Sequence, residues 1–328
     1  MPGKDRLARE LEVSPRTVQR ALKVLEGEGT LEAQGGGRRR RVVAREGEVE
    51  TRPLLVRILT YERSDEGLVH HVHLQGELQK AGHTAHFTAK SLQDLGMDVN
   101  RVARFVEQTA ADAWVVCSGA RPVLEWFAAQ PVPAFALYGS SSGVRIAGMV
   151  PRKNPALTVA VRRLVDLGHR LIVMLVREER LKPYPASFEQ TFLNELAASG
   201  IAIGSYNLPL WEDNRSGFHR CLDSLLEHTP PTALIISEPM LFHAAKDHLA
   251  RRGLLAPEHV SLICDDPDLT FGWCEPSIAH IAWDHQPIVR RVLHWARNVA
   301  CGRVDYRQSY TLAKFVEGGT VGPVPKRR

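Results

Sequence analysis

The chain has 328 residues, a length that suggests two or three folding units. Hydrophobic residues make up 44% and charged residues 24%, ordinary values for a globular protein with a full core. The five cysteines are scattered without a CxxC pair, which argues against a disulfide framework or a zinc knuckle. Apolar runs such as 171–176 are far too short to span a membrane, and no signal peptide follows Met1. We therefore expect a cytoplasmic protein with no membrane segment.

Positive charge is concentrated at the amino-terminal end. The formal net charge is +5, and residues 1–41 carry ten basic against six acidic side chains, so that most of the excess lies in this segment. A local basic excess is expected where a protein must attract a polyanion. The basic residues are Lys4, Arg6, Arg9, Arg16, Arg20, Lys23, Arg38, Arg39, Arg40 and Arg41.

The first 45 residues have the pattern of two short helices and a hairpin. Apolar residues recur at helical spacing before Ser14-Pro15 and again after it, and this pair suits the start of a second helix. A tight turn between two such helices predicts a helix-turn-helix. The triple glycine at 35–37 lies between two short β-like runs, which predicts a hairpin with arginines on its return strand. The alternative is a charged helical hairpin with a solvated arginine run.

This segment is similar to the winged-helix head of the gluconate-repressor (GntR) family, through Leu7-Ala8, Leu11, Val13-Ser14, Thr17-Val18, Ala21-Leu22, Leu25-Glu26 and Glu28-Gly29. The resemblance implies a DNA-binding domain over residues 1–45 that lacks the family's first helix, so that it is incomplete at its N-terminus. It also implies that Ser14, Arg16, Thr17 and Arg20 face the major groove of double-stranded DNA. Arg38, Arg39, Arg40 and Arg41 would form a basic wing.

A polar linker over 46–53 leads into a long α/β segment, 54–328. Short apolar strands are predicted at 54–60, 84–88, 113–117, 134–137, 171–176, 201–208, 233–237 and 260–264. Helical patterns lie between them at 99–109, 156–167, 188–198, 218–226 and 241–252. Repeated βαβ units predict parallel sheets with helices on both faces. The pattern divides near 148–155, which predicts two similar lobes with a ligand cleft between them.

The long segment resembles the lactose/galactose-repressor (LacI/GalR) family, through Leu167-Gly168-His169-Arg170, Pro257-Glu258-His259-Val260-Ser261, Asp265-Asp266 and Pro276-Ser277-Ile278. The resemblance implies a periplasmic-binding-protein-like sensor that dimerises and binds a sugar or a nucleobase. It implies the ligand-binding residues Tyr61, Glu62, Trp211, Glu238, Asp265, Asp266, Trp283 and Asp284. Helix capping is the alternative for Glu238 and Asp266, and core packing is the alternative for Trp211. Phe188 stands where the family has a sugar-binding arginine.

Other clusters in the sequence point to no chemistry of their own. His70, His71 and His73 lack a completing carboxylate or cysteine, which favours a solvated helix surface over a metal site. The serine- and glycine-rich run 139–143 is interpreted as an ordinary loop, and the chain contains no HExxH motif, so we expect neither an enzyme nor a cofactor. The sequence predicts a ligand-responsive transcription regulator that binds an operator as a homodimer and responds to a sugar or similar metabolite. The alternative is a solute sensor whose head is degenerate and has no DNA-binding function.

Overall fold

A computed structural model describes residues 4–11, 13–27, 31–32, 41–42, 52–181 and 185–325. The chain divides into two compact units, residues 1–52 and 53–328. No helix in these described ranges is long and apolar enough to cross a membrane.

The first unit contains a helix pair and a strand pair. Helix α1 (Lys4–Glu10) precedes α2 (Pro15–Gly27), and strands β1 (Leu31–Glu32) and β2 (Arg41–Val42) pair antiparallel. The Oγ atom of Ser14 accepts a hydrogen bond from the Thr17 amide at 3.1 Å, so Ser14 caps α2 as its sequence suggests. The two helices enclose a small core of Ala8, Val18 and Leu22. Arg38, Arg39 and Arg40 lie outside the described residues, and a winged helix of GntR type stays a prediction.

The second unit is an α/β fold in two lobes. The first lobe contains β3 (Leu55–Leu59), α3 (Val69–Lys80), β4 (Thr84–Phe87), α4 (Val99–Glu107), β5 (Ala113–Cys117), α5 (Arg121–Ala128), β6 (Ala134–Leu137) and β7 (Ala147–Arg152). The second contains α6 (Asn154–Asp166), β8 (Ile172–Leu175), α7 (Ser187–Ala198), α8 (Arg215–His228), β9 (Ala233–Ile236), α9 (Pro239–Ala250), β10 (Ser261–Cys264) and β11 (Ala279–Trp283). Helix α10 (Gln286–Ala300) and strand β12 (Gln308–Val316) complete the fold.

The strands run in the order β4-β3-β5-β6-β7-β12-β11-β10-β9-β8. All neighbouring pairs in this order are parallel except β11 and β12. The first half of β12 pairs with β7, from Gln308 to Leu312, and its second half pairs with β11. One strand therefore belongs to both lobes and joins them.

Helices cover both faces of each half of the sheet, because successive strand residues point to opposite sides. In β5, Val115 packs in one core with residues of α3 and α10, whereas Trp114 and Val116 pack in another with residues of α4 and α5. The second lobe repeats this division, with α6 and α7 on one face and α8 and α9 on the other. The predicted architecture of mostly parallel strands covered by helices is confirmed.

The chain crosses between the lobes at three places. It passes from β7 to α6, returns from β11 to α10, and crosses again within β12. Helix α10 follows a strand of the second lobe, yet its residues Ile288, Val292 and Trp295 pack in the core of the first. Short crossings of this kind hold the two lobes side by side and leave a cleft between them.

The predicted strand at 201–208 is wrong. A turn closes there instead, in which the Asn207 amide donates to the Gly204 carbonyl at 3.0 Å. The Asn207 side-chain amide donates to the Ile172 carbonyl at 3.0 Å, and the Asn207 backbone carbonyl accepts from the Met174 amide at 2.8 Å. The turn and its asparagine thus provide hydrogen-bond partners for backbone groups at the outer edge of β8, where the apolar pattern had indicated a further strand.

The buried face of α7 provides a test of this packing. Phe192 is fully buried against the sheet of the second lobe, so we expect Phe192→Ala to lower the free energy of unfolding by about 3–5 kcal/mol. Val159, on α6, is 55% exposed, and Val159→Ala should change it by less than about 0.5 kcal/mol. Urea titrations followed by circular dichroism measure both changes. Equal effects of the two substitutions would contradict the assigned core.

Candidate ligand-binding cleft

Residues that follow strands of both lobes meet around one guanidinium group. Tyr61 and Glu62 come after β3 in the first lobe, whereas Arg177 and Glu238 come after β8 and β9 in the second. Asp213, in the loop before α8, joins them. The carboxyl ends of parallel strands are the usual location of ligand sites in open α/β sheets.

Arg177 makes ion pairs with three carboxylates. Its Nε and Nη2 atoms donate to the two Glu238 oxygens at 2.9 and 2.8 Å, a bidentate arrangement. Its Nη1 donates to Asp213 Oδ1 at 2.7 Å, and Nη2 also donates to Glu62 Oε2 at 3.3 Å. The guanidinium carbon lies 5.1 Å from the centre of the Tyr61 ring, and the Tyr61 hydroxyl donates to Asp213 Oδ2 at 3.2 Å. Because Glu62 and Tyr61 belong to the first lobe, the network spans the cleft.

The acids of this network are more open to solvent than the arginine. The Arg177 side chain is 5% exposed, compared with 15% for Glu62, 24% for Asp213 and 34% for Glu238. A molecule that enters the cleft therefore meets carboxylate oxygens before it meets the guanidinium.

A second ion network lies at the crossing between β7 and α6. Lys153 Nζ donates to Asp266 Oδ1 at 3.0 Å and lies 3.4 Å from Asp265 Oδ2. The Ser237 hydroxyl donates to Asp265, and the Trp283 indole donates to Asp266, at 2.9 Å in both cases. Asp265 is fully buried, whereas the Asp266 side chain is 25% exposed. The two adjacent acids thus hold one buried lysine.

An aromatic wall joins the two lobes. The ring of His70, on α3, lies 5.6 Å from Tyr138 and 5.7 Å from Trp283, and the last two rings are 5.4 Å apart. His71 is only 3% exposed, and its Nδ1 lies 2.8 Å from the Asp65 carbonyl oxygen. The expectation of a solvated histidine surface is wrong for His70 and His71, because α3 turns them toward the cleft aromatics.

Strained backbone accompanies these loops. Ser118, Tyr138 and Glu238 have positive φ angles of 53°, 61° and 64°, in the left-handed region that non-glycine residues seldom adopt. Each comes within two residues of the end of a strand, β5, β6 or β9. Gly139 is required for close approach, since a Cβ there would lie 2.7 Å from the Gly119 carbonyl oxygen. Such strain clusters where surrounding structure fixes side chains for function.

A cavity of about 390 Å³ opens beside the Arg177 network, a volume that suits a small metabolite. Its charged lining consists of Glu62 and Asp213 together with Arg177 and Arg215. Trp211, Phe218 and Leu241 supply apolar lining. Among the described residues, no group of three or more histidine, cysteine or acidic side chains is arranged to hold a metal ion.

Two acids of the cleft hold their protons unusually strongly. Burial raises the pKa of Asp65 to about 7, and repulsion from Glu62 and Glu238 adds to the effect. Burial and the neighbouring Asp265 raise the pKa of Asp266 to about 6. The pKa of Asp265 itself is lowered, because Lys153 and Arg180 outweigh its burial. Burial is thus the main cause of both raised pKa values, and repulsion between neighbouring carboxylates adds to it.

The structure brings together most of the predicted ligand-binding residues. Tyr61, Glu62 and Glu238 join the Arg177 network, and Asp265, Asp266 and Trp283 join the Lys153 network. Trp211 lines the cavity but is 6% exposed, and its indole donates to the Val176 carbonyl. Asp284 is exposed and accepts from the Gln286 amide at the start of α10.

The predicted DNA-contacting residues occupy the first unit. Ser14, Arg16, Thr17 and Arg20 are exposed along α2, whereas Ala8 and Val18 are buried between the helices. Arg41 lies on β2, of which the structure describes only the backbone. Helix α2 therefore presents an exposed face that carries Arg16 and Arg20.

Sequence reasoning missed the cations at the centres of both networks. Arg177 directly follows the predicted strand 171–176, a position at a strand end like those of Glu62 and Glu238. Lys153 directly follows β7, which was not among the predicted strands, and Asp213 lies in a loop. Asp213 is revealed only by its tertiary contacts.

Comparison with known proteins agrees with the α/β fold described above. Residues 161–320 match the family model for the periplasmic binding protein-like domain. A LacI-family transcriptional regulator from Corynebacterium glutamicum superposes with a TM-score of 0.68 at 19% identity, over 98% of this chain and 99% of its own. No curated protein matches the sequence significantly.

Two other solved structures cover the second unit. The lac repressor dimer bound to operator and the anti-inducer ONPF gives a TM-score of 0.64 at 15% identity, over 82% of this chain and 94% of its own. A LacI-family regulator from Enterococcus faecium with bound ribose gives 0.61 at 16% identity, over 82% of this chain and 98% of its own. The second unit therefore has the fold of these LacI-family regulator structures, and residues 161–320 are similar to a periplasmic binding protein-like domain.

The raised pKa of Asp65 predicts a pH-dependent stability difference. Between its ordinary value of 3.8 and its folded value of about 7, the folded state holds a proton that the unfolded state has released. The retained proton favours the folded state. This contribution to the free energy of unfolding is present at low pH and is lost as the pH rises through 7. Asp65→Asn cannot titrate, so at pH 8 it should be more stable than the native protein by on the order of 1–2 kcal/mol, a gain absent near pH 4.

Urea unfolding of the native protein and of Asp65→Asn across this pH range measures the difference in their free energies of unfolding. Every other titrating group is present in both proteins, so its effect cancels in this difference. A difference that does not change with pH would contradict the assigned environment of Asp65.

Proposed function

We propose that the protein is a ligand-responsive, sequence-specific DNA-binding transcription regulator and that the cleft of its second unit binds the effector. The ion network that joins Glu62 of one lobe to Arg177 of the other carries the proposal, because an effector that competes for these carboxylates changes the balance between open and closed lobes. The effector is a small polar metabolite, with sugars as the class that the sequence predicts. The protein has no enzymatic activity.

The first unit supports the DNA-binding half of the proposal. Arg16 and Arg20 are exposed on α2, and the basic excess of the chain lies in this segment. Arginines on a helix that enters the major groove read base edges, whereas arginines on a wing contact phosphates. Because its partner is DNA, the protein acts in the cytoplasm.

The structural neighbours support a homodimer as the DNA-binding form. The lac repressor neighbour is a dimer bound to its operator. In this chain, the 3₁₀ turn after β10 (Leu269–Trp273) leaves Leu269 72% and Trp273 93% exposed. Apolar side chains that protrude so far are typical of protein–protein contacts. We propose that this turn contacts a second copy of the chain.

Salt dependence tests the role of the wing. Replacing Arg38, Arg39, Arg40 and Arg41 together with alanine should reduce the slope of log affinity against log salt by roughly 0.9 for each phosphate that the wing neutralises, thus by about two to four. Fluorescence anisotropy with a random-sequence DNA duplex measures the slope. Arg101→Ala, an exposed arginine of the second unit, is the control and should leave the slope unchanged. An unchanged slope for the quadruple variant would show that the wing does not touch DNA.

Sequence preference tests α2. With a duplex selected from a random library, Arg16→Ala and Arg20→Ala should each lower the preference for that duplex by about 1–3 kcal/mol. The same anisotropy assay, run against random-sequence DNA, measures the preference. If the native protein itself binds no duplex, the proposed regulator is wrong and a solute sensor without DNA function replaces it.

Sedimentation tests the dimer. At micromolar concentration the native chain should sediment as a dimer, and Trp273→Ser should shift it toward monomer. Val304→Ser is the control, because Val304 is also strongly exposed, at 75%, but lies before β12. A strictly monomeric native protein, with or without DNA, would contradict the proposal. A Trp273→Ser dimer as tight as the native one would place the contact on another surface.

A further inference from the structure

We infer that the effector is a cation and that its ammonium or guanidinium group is held by the carboxylates of Glu62, Asp213 and Glu238. This inference rests on the proposed function, in which the cleft binds the effector. It narrows the ligand from any small polar metabolite to an amine, an amino sugar or a guanidino compound.

The first support is the order in which groups are exposed. Arg177 contributes to the cavity lining but keeps only 5% of its side chain exposed, whereas Glu238 keeps 34% and Asp213 keeps 24%. The second network repeats this order, since Lys153 is 11% exposed and Asp266 is 25% exposed. Both protein cations are therefore enclosed by their partners. The open lone pairs of the acids remain for donors supplied by a ligand.

The second support is the charge balance of the cleft. Five carboxylates surround it from both lobes, Glu62, Asp213, Glu238, Asp265 and Asp266, beside Asp65, whose raised pKa of about 7 leaves it partly protonated at neutral pH. Against them stand Arg177, Lys153 and, at the rim of the cavity, Arg215, while Arg180 is already paired with the buried Glu189. An anionic ligand would add to the repulsion among these carboxylates, and a cation would relieve it.

The third support comes from the aromatic groups. Tyr61 already stacks on one guanidinium, with the Arg177 carbon 5.1 Å from its ring centre, so this wall has the chemistry for a second cation. His71 adds a buried group without a partner, because its Nε2 makes no hydrogen bond although the residue is only 3% exposed. With Nδ1 donating to the Asp65 carbonyl, Nε2 is an acceptor and requires a donor.

A neutral sugar is the main competitor for this cleft. Its hydroxyl groups also donate to carboxylates, but they leave the excess negative charge in place. The two classes therefore differ in one measurable respect, the contribution of ligand charge to affinity. Pairs of compounds that differ only in charge separate them.

The experiment uses the full chain and two such pairs, glucosamine with glucose and putrescine with 1,4-butanediol, together with agmatine as a guanidinium probe. Thermal-shift assays and isothermal titration calorimetry measure binding at neutral pH. We expect at least one of the charged compounds to bind at least tenfold more tightly than its neutral counterpart, or agmatine to bind saturably. Glu62→Gln and Glu238→Gln should each weaken that binding by at least fivefold.

Glu227→Gln is the matched control and should leave binding unchanged. Glu227 is exposed on α8 and lies twelve residues after Arg215, about 18 Å farther along the helix. Because each glutamine keeps the shape of the side chain, thermal unfolding of the unliganded variants shows whether they fold.

Three outcomes overturn the inference. If glucose or butanediol binds as tightly as its charged counterpart, and Glu62→Gln weakens that binding, the cleft is the effector site but charge does not select the ligand. If the charged compounds bind but neither glutamine variant weakens them, the site lies elsewhere. If no charged compound binds at millimolar concentration, the cationic class is wrong, and the DNA-binding experiments above decide the proposed function separately.

Discussion

The cleft depends on one buried charge, the guanidinium of Arg177. An arginine cannot lose its proton inside a protein, so burial of this group requires carboxylates around it. Glu62 comes from the first lobe, and Asp213 and Glu238 come from the second. Removing one partner of such a buried network typically costs about 3–5 kcal/mol, because the remaining charges stay uncompensated. The relative position of the lobes is therefore tied to a single side chain.

The rest of the cleft likewise has a cation held by carboxylates that surround it. Lys153 lies at a crossing between the lobes and is held by two acids that follow β10, one of which also accepts from Trp283 of β11. Strained backbone at Tyr138 and Glu238 aims side chains into the cleft instead of along the strands. Since β12 pairs with both lobes, the lobes can move only about a few short crossings. A ligand that competes for the acids would change the balance between open and closed lobes without altering the core of either lobe.

Much of this arrangement could be predicted from the sequence, because the spacing of apolar residues indicates the strands and helices, and many cleft residues come directly after strands. Buried strands such as Ala113–Cys117 and Ala134–Leu137 have unbroken apolar runs. The family resemblance supplied Tyr61, Glu62 and Glu238, all of which come soon after a strand. The apolar run at 201–208 led to a wrong strand prediction, because these strand-like residues form a turn that covers the edge of the sheet. Lys153 directly follows β7, a strand that the apolar pattern did not predict. Asp213 lies in a loop, and His71 is buried only because α3 packs against the cleft wall. The contacts of these last two residues arise from tertiary structure and have no local signal.

The coupling between Glu62 and Arg177 tests the central claim most directly. A double-mutant cycle with Glu62→Gln and Arg177→Gln, followed by urea unfolding, isolates the free energy of the interaction across the lobes. The structure predicts a stabilising coupling on the order of 1–3 kcal/mol, compared with less than about 0.5 kcal/mol for a cycle that pairs Arg177→Gln with Glu227→Gln. A Glu62–Arg177 coupling no larger than that of the Glu227 cycle would show that the lobes are not joined through this arginine.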